Sequence, residues 1–337
     1  MRRRGWIRSA LAGAAVLSLL AGCSSGEDTA DKPTIEPPTP AAAPAVAGAP
    51  AGAVIASAPI TALLSEPKTG VLAEVLEPGN VLRLRDPGSD RTRTLTLPGN
   101  AADLAPGVPG EILVAVPDAV LRVEAATGLS ALVRVDGDVR AVARRADGDL
   151  IAGLGSGKVL ILGADGAVRQ TISGLISADE VDATGEDIVV LDRRQTIISE
   201  LNLDKDRPGL SLRAGEGATR MIGDHFGRRI VTDTIGHELL VYTADPLVLH
   251  QRFPVGSSPY ALAYDQRSET VWVTLTGQNE VVGYDLSTGI PVEVGRYPTV
   301  RQPNSVTIDD RTGDMFVGSA TGDGLQRIGA DQRKRGQ

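Results

Sequence analysis

Short apolar runs separated by turn residues recur along the chain from residue 53 onwards. The stretch Phe253–Gly289 shows the pattern most clearly, with the runs ALAY, VWVTL and EVVGY between turns. Each run alternates or is rich in β-branched residues, and each is too short for an ordinary helix. The pattern predicts three consecutive strands in this stretch, with a fourth in the run that reaches Gly295 and Tyr297.

The same pattern repeats about every 40 residues. Pro259–Asp265 aligns with Pro303–Asp309 at an offset of 44, and second strands are predicted to begin near residues 72, 112, 150, 188, 230, 271 and 315. A repeat of this length holds four strands of about 5 residues with short turns. Seven such repeats predict an all-β fold, a seven-bladed β-propeller.

The two ends of the repeat array complement each other. The last copy stops after Leu325–Ile328, one strand short, whereas Ala53–Ser57 precedes the first copy as an extra strand. We therefore predict that the N-terminal strand is added to the last blade and closes the ring, which leaves no open blade edge. A pair of β-sandwich domains would also use short strands, but it does not predict this matched deficit and surplus.

The clearest repeat also carries a family resemblance. The residues Pro254, Gly256 and Pro259, the run Val271-Trp-Val-Thr and the turn before Gly289 resemble the repeat of the bacterial YVTN family. The resemblance implies a seven-bladed propeller, in many members extracytoplasmic. It transfers no catalytic residue, because the residues of that repeat set turns and pack between blades.

The N-terminus predicts export and anchoring. Residues 1–22 combine arginines with an apolar run that is too short to span a bilayer, which is typical of a signal peptide. Leu20-Ala-Gly-Cys23 resembles the bacterial lipobox, which implies that Cys23 is acylated and holds the protein on the extracytoplasmic face of the cell membrane. Arg3–Arg8 also resembles a twin-arginine export motif, and export by the general secretory route stays open.

Composition predicts a division of the remaining chain into a tether, the propeller and a tail. Residues 23–52 are rich in Pro and Ala without an apolar period, so we expect a disordered tether behind the lipidated cysteine. The propeller is expected over residues 53–330, and the basic stretch 331–337 is expected to be a disordered tail.

Charge and cysteine content exclude several classes of protein. The net charge is −8, and without residues 1–22 the balance is 30 basic against 42 acidic residues. An acidic body argues against nucleic acid as a partner. A single cysteine excludes an intramolecular disulfide.

No sequence motif predicts catalysis. Gly153–Lys158 lacks the Ser/Thr and the helix of a phosphate loop, and Asn202–Asp206 lacks the glycine and the glutamate of a calcium loop. The three histidines do not share metal-ligand spacing. We therefore predict no catalytic residue, no resident metal and no cofactor, and a binding role rather than an enzyme.

The mouth of the central channel, the end at which the first strand of each blade begins, is the predicted functional surface. Concave polar pockets are the usual binding sites of such folds. Its predicted ligand-binding residues are Asp103, Asp138, Asp179, Glu180, Arg220, Tyr260, Asn279, Arg301 and Asn304.

Two functions remain open for this surface. The first is a scaffold or binding module at the cell envelope, with an envelope protein or a small ligand as partner. The alternative is a metal-assisted lactonase or related hydrolase, in which carboxylates from several blades hold a divalent cation such as calcium, as in the gluconolactonase-like propellers. The metal ligands of those enzymes do not map residue by residue onto this sequence.

Overall fold

The computed structural model describes residues 32–89, 91–184 and 187–333. Pro33–Gln337 form one compact unit, and Lys32 is the one described residue of the N-terminal unit Met1–Lys32. Apart from two single 3-10 turns, Leu203–Lys205 and Ala330–Gln332, the regular structure of the described residues is β. Among those residues there is no helix with the length and apolarity needed to span a membrane.

The strands follow one another along the chain with short connections. In order they are β1 Ala53–Ile55, β2 Ile60–Ser65, β3 Leu72–Leu76, β4 Val81–Arg85, β5 Thr92–Thr96, β6 Asp103–Pro106, β7 Glu111–Val116, β8 Ala119–Glu124, β9 Ser130–Arg134, β10 Val139–Arg144, β11 Leu150–Leu154, β12 Val159–Leu162, β13 Val168–Ile172, β14 Glu180–Asp182, β15 Val189–Asp192, β16 Ile197–Asn202, β17 Arg207–Arg213, β18 Ala218–Gly223, β19 Arg228–Asp233, β20 Glu238–Thr243, β21 Val248–Pro254, β22 Pro259–Asp265, β23 Thr270–Leu275, β24 Glu280–Asp285, β25 Val292–Pro298, β26 Pro303–Ile308, β27 Met315–Ser319 and β28 Leu325–Ile328.

These strands form seven four-stranded antiparallel sheets arranged as the blades of a ring, and the predicted seven-bladed β-propeller is confirmed. Six blades are built from consecutive strands, and the innermost strands are β2, β6, β10, β14, β18, β22 and β26. Each innermost strand contacts the innermost strand of the next blade, and β26 contacts β2 in turn. Each second strand begins within two residues of its predicted position.

Apolar packing between blades explains why the second strands are mostly apolar. Blades pack on both faces, so both sides of a central strand are buried, and β3, β11 and β27 carry no exposed position. Outer strands lie at the rim, where β5 and β9 are mostly exposed and more polar. The continuous apolar runs in the sequence are therefore strands buried on both faces.

A separate apolar cluster fills each junction between neighbouring blades. The cluster that joins the last blade to the first contains Phe316 and Leu325 on one side and Ile60, Leu72 and Leu76 on the other. All five side chains are buried. Burial of each large aliphatic or aromatic side chain contributes about 1.5–3 kcal/mol, so this junction is stabilised like the other six.

The outermost strand of the seventh blade comes from the N-terminus. Strand β1 pairs antiparallel with β28, with Ala53 opposite Arg327 and Ile55 opposite Leu325. The seventh sheet therefore has the order β1-β28-β27-β26 and four strands, like the other six. Because β1 is short and exposed, its contribution to stability comes mainly from backbone hydrogen bonds.

The structure differs from the sequence-based expectation at both flanks of the propeller. Residues 33–52, expected to be part of a disordered tether, form an extended segment that is hydrogen bonded to the propeller. At the other end, Ala330–Gln332 form a 3-10 turn, and Arg333 pairs with Asp265 at 3.3 Å and stacks over Trp272. The ordered chain therefore extends beyond residue 330, and residues 334–337 lie outside the described part.

We predict that pairing of β1 stabilises the ring. In a strand, consecutive N–H groups point to opposite sides, so changing both Val54→Pro and Ile55→Pro removes at least one donor to β28. The double proline variant should melt roughly 3–8 °C lower than the wild type, since about 1–3 kcal/mol is lost. Scanning calorimetry measures the shift.

The double variant Val54→Thr and Ile55→Thr is the control, because threonine keeps the N–H and favours strands. It should melt close to the wild type. If the proline and threonine variants melt together, the strand does not hold the ring closed.

Candidate functional site

Two buried aspartates shape the loops at the mouth of the channel. Asp192 ends β15 and accepts hydrogen bonds from the backbone N–H groups of Ile176, Ser177, Arg194 and Gln195, at 2.9–3.1 Å. It thereby joins the loop that leads into blade 4 to the hairpin between β15 and β16. Asp233 does the same in blade 5. The mouth loops of these blades are thus held by buried carboxylates in addition to buried apolar residues such as Leu175 and Ala214.

A charged cluster lines the channel just below the mouth. Glu180 is the first residue of β14, and its Oε1 accepts a hydrogen bond from Nη1 of Arg220 at 2.8 Å. The Arg220 guanidinium also lies over the Tyr260 ring, 5.5 Å from its centre. The negative charge of Glu180 raises the pKa of Arg220, so this arginine stays charged. Burial raises the pKa of Glu180, an effect that Arg220 opposes.

Asp103 completes the cluster and is its titratable member. It is the first residue of β6, and its carboxylate accepts hydrogen bonds from the N–H groups of Val142 at 3.0 Å and Leu104 at 2.8 Å. Burial, followed by the negative charge of Glu180, raises the pKa of Asp103 to about 7. The side chain therefore changes charge near neutral pH, at the top of a channel that also holds a fixed ion pair.

The channel itself is a cavity of about 400 Å³. Asp103, Glu180, Arg220 and Asn304 line its upper end, and apolar residues of the inner strands, such as Leu104, line its wall. This volume is within the range of small-molecule sites, which combine an apolar wall with a few polar groups. The cavity is therefore large enough, and polar enough at its upper end, to accept a small polar ligand.

A second set of charges lies at the rim of the mouth. Arg140 bridges Asp138 and Asp179, with nitrogen–oxygen distances of 2.9 Å to each. The backbone N–H of Arg193 donates to Asp179 at 2.9 Å. Asp179 is buried, whereas 56% of the Asp138 side chain is exposed, so Asp138 is the part of this set that solvent reaches.

The remaining part of the mouth is occupied by the chain's own N-terminal segment. Gln302 donates from Nε2 to the carbonyl of Ala41 at 3.0 Å and accepts the N–H of Ala43 at 2.8 Å. Ser258 Oγ accepts the N–H of Ala41 at 2.9 Å. Asn279 Nδ2 donates to the carbonyl of Pro44 at 3.0 Å. We call residues 33–44 the docked segment.

Further contacts extend the docked segment across blades 4 to 7. Arg301 donates to the carbonyl of Ala43, and Arg193 Nη2 donates to the carbonyl of Pro38 at 3.2 Å. The N–H of Ile35 donates to the carbonyl of Arg194 at 2.7 Å. We call the propeller side chains of Arg193, Ser258, Asn279, Arg301 and Gln302, which bind this segment, the mouth groove.

The structure divides the nine predicted site residues into three groups. Asp103, Glu180, Arg220 and Asn304 line the channel, with Tyr260 packed against Arg220. Asp138 and Asp179 both pair with Arg140 at the rim of the mouth. Asn279 and Arg301 contact the docked segment.

Sequence reasoning missed Arg140, Arg193 and Gln302. It selected mainly polar residues near the start of the inner strands, and Arg193 lies outside those positions, in the hairpin between β15 and β16. Gln302 had a signal, since it precedes Pro303 as Ser258 precedes Pro259, one repeat earlier. Both residues have positive φ values, 53° and 54°, that non-glycine residues rarely adopt.

Arginines neutralise the mouth acids that the metal-assisted alternative requires. Glu180 pairs with Arg220, and Asp138 and Asp179 pair with Arg140. Among the described residues, no three His, Cys, Asp or Glu side chains gather at a point that could hold a metal ion. This part of the chain therefore offers no cluster of three such side chains for the metal that the lactonase alternative requires.

Comparison with known proteins identifies the fold alone. No family model and no curated protein matches the chain. Among solved structures, it is similar to Kuenenia stuttgartiensis hydrazine synthase (11% identity, 80% of this chain and 95% of that one, TM-score 0.69). It is similar to a chain of the mitotic checkpoint complex (11% identity, 95% of this chain and 99% of that one, TM-score 0.70). It is also similar to streptogramin B lyase (12% identity, 83% of this chain and 96% of that one, TM-score 0.68).

We predict that Asp103 makes stability depend on pH. Its pKa is about 7 in the fold against an ordinary 3.8, so ionisation opposes folding. This penalty is absent below the ordinary pKa, grows as pH rises and is complete above pH 7. Asp103→Asn removes it. Asparagine keeps only one of the two acceptors for the N–H groups of Leu104 and Val142, at a cost that does not depend on pH. The melting temperature of the variant relative to the wild type should therefore be several degrees higher at pH 8 than at pH 4.5.

Asp138→Asn is the control, because this acid is exposed and its ion pair contributes little. Its melting temperature should follow that of the wild type at both pH values. A difference between Asp103→Asn and wild type that is equal at pH 4.5 and pH 8 would show that Asp103 does not titrate abnormally.

Proposed function

We propose that this protein is a lipid-anchored, extracytoplasmic β-propeller that binds a partner at the mouth of its channel. The observation that carries the binding role is the mouth groove, where five polar side chains hold an extended polypeptide segment through its main chain. Surfaces that place polar groups at the spacing of an extended chain are typical of peptide-binding sites.

Anchoring rests on the N-terminal sequence. The basic start, the apolar run and Leu20-Ala-Gly-Cys23 support export followed by acylation of Cys23. Two or more acyl chains on one residue are sufficient for stable attachment to a membrane. The clearest repeat supports the same compartment through its resemblance to the YVTN family.

The docked segment shortens the free part of the proposed tether. If residues 33–44 stay on the propeller, residues 24–32 alone connect Cys23 to it, and their contour length cannot exceed about 35 Å. A tether free up to residue 52 would extend about 90 Å as a polyproline helix. Binding and release of the segment would therefore change how far the propeller can reach from its anchor.

A hydrolase function has less support. The similarity to streptogramin B lyase concerns the fold at 12% identity, and the mouth carboxylates pair with arginines. The pKa of Asp103, about 7, suits proton transfer, but the hydrogen bonds that its carboxylate accepts come from the backbone N–H groups of Leu104 and Val142 and not from a nucleophilic side chain. The binding role accounts for more of the contacts at the mouth, namely those between the mouth groove and the docked segment.

Photo-crosslinking in cells, combined with fractionation, tests the proposal. A photoreactive amino acid replaces either Asp138 at the mouth or Val168 on the outer strand β13. Both residues are exposed. We expect a specific crosslinked partner from position 138 and none from position 168. Equal products from both positions would contradict a binding site at the mouth.

The same strain tests the anchor. Cys23→Ala should move the protein from the membrane fraction to the soluble exported fraction, because the acylated residue is lost. If the variant stays in the membrane fraction with unchanged processing, the protein is not a lipoprotein of this kind. That result would leave the crosslinking outcome unaffected.

A further inference from the structure

The docked segment is hydrogen bonded to the propeller through its backbone and not through its side chains. Every hydrogen bond between residues 33–44 and the described propeller residues uses a main-chain N–H or carbonyl of the segment. Main-chain groups are common to all polypeptides, so this recognition is not restricted to the chain's own sequence. Another extended strand offers the same donors and acceptors.

The groove is built for this contact. Gln302 binds the N–H of Ala43 and the carbonyl of Ala41 with its two amide atoms, as a neighbouring strand would. The Gln302 backbone is held in turn by Asn279, whose Oδ1 accepts its N–H at 3.0 Å. Thr276 donates to Ser258 Oγ at 2.8 Å and fixes that acceptor. The groove is therefore preorganised for an extended chain.

Its contacts also favour proline and small residues. Pro38 and Ala43 are the buried residues of the docked segment. Pro38 packs above Gly217, where a Cβ would lie 2.7 Å from its Cγ, so the absence of a side chain there makes room for the ring. Proline also holds a chain extended before it binds, which lowers the entropy lost on binding.

The segment is attached in a way that allows displacement. It contributes few apolar contacts, most of its residues are exposed, and its hydrogen bonds to propeller side chains are part-buried or exposed, so each contributes modestly. It stays in place mainly because it is covalently tethered close to the groove, at β1. A second strand that makes the same contacts with further side-chain contacts can replace it.

We propose that the mouth groove is the binding site for an extended proline- and alanine-containing strand of another envelope protein, with residues 33–44 as the resident occupant that this strand displaces. The inference rests on the proposed binding role of the mouth and names the chemistry of the partner. The groove is the recognition surface. A partner strand displaces the docked segment only if it binds the groove more strongly than the tethered segment does.

Peptide binding to the purified full mature chain tests this proposal. In one variant, residues 33–44 are replaced by a Gly/Ser sequence of equal length, which lowers the occupancy of the groove because it removes the buried Pro38 and Ala43 and loses more conformational entropy when it is held in place. The probes are fluorescent peptides with the sequence of residues 32–46 or with repeated Ala-Pro. Fluorescence anisotropy should show saturable binding of both peptides to the variant, and at least tenfold weaker binding to the wild type.

Two substitutions in the Gly/Ser variant locate the binding site. Asn279→Ala with Gln302→Ala should weaken peptide binding at least tenfold, because three contacts to the strand are lost. Gln170→Ala on the outer strand β13 is the matched control and should leave the affinity unchanged. Circular dichroism establishes that each variant is folded.

Three outcomes would overturn the proposal. A folded Gly/Ser variant that binds neither peptide excludes the groove as a strand site. Equal affinity of wild type and variant excludes displacement. A concentration-dependent wild-type dimer that the Gly/Ser replacement abolishes assigns the groove to the segment of a second copy instead of a foreign strand. The affinity of the purified chain does not depend on export or on Cys23, so failure of the anchor is distinguished from failure of this site.

Discussion

Apolar packing between neighbouring blades is the interaction on which the rest of this structure depends. Each central strand is buried on both faces, and the packing of Phe316 and Leu325 on Leu72 and Leu76 makes the seventh junction equivalent to the others. Because every blade is fixed by two neighbours, the inner strands begin at one level around the axis. This arrangement brings Asp103, Glu180 and Arg220, which lie far apart in sequence, to the same end of the channel.

The polar mouth follows from this apolar ring. The loops at the strand ends add a buried apolar residue such as Leu175 to this packing, and they are also held by hydrogen bonds to buried carboxylates, as Asp192 and Asp233 show. The same end then carries charges in pairs, with the pKa of Asp103 raised to about 7. A rigid ring with a polar, preorganised end is a scaffold on which binding sites evolve through loops. This arrangement supports the proposal that the protein binds its partner at the mouth.

The sequence predicted the fold well because the fold repeats. Seven copies of one apolar pattern give seven independent indications of strand position, and the extra segment Ala53–Ser57 matched a strand missing from the last copy. The mouth residues, by contrast, were predicted only from their position at the end of the channel where the first strands begin. Glu180 and Arg220 were both named, but their pairing depends on the spacing of neighbouring inner strands, which no local pattern records.

The docked segment was beyond sequence reasoning for a different physical reason. A Pro/Ala-rich stretch without apolar period cannot form a core of its own, and composition correctly indicates that. Composition does not indicate whether such a stretch lies on a surface formed elsewhere. Here the contacts are made by its backbone, and their partners, such as Gln302 and Ser258, are some 200 or more residues away. Only the folded ring brings these groups together.

The central claim is that residues 33–44 occupy the mouth groove of the folded chain. Hydrogen–deuterium exchange of the mature protein measures this directly at the amides of Ile35, Ala41 and Ala43, which donate to propeller acceptors. We expect these amides to exchange at least tenfold more slowly than in the free peptide 32–46, and Gln302→Ala to abolish the protection at Ala43. Exchange at the rate of the free peptide would contradict the account.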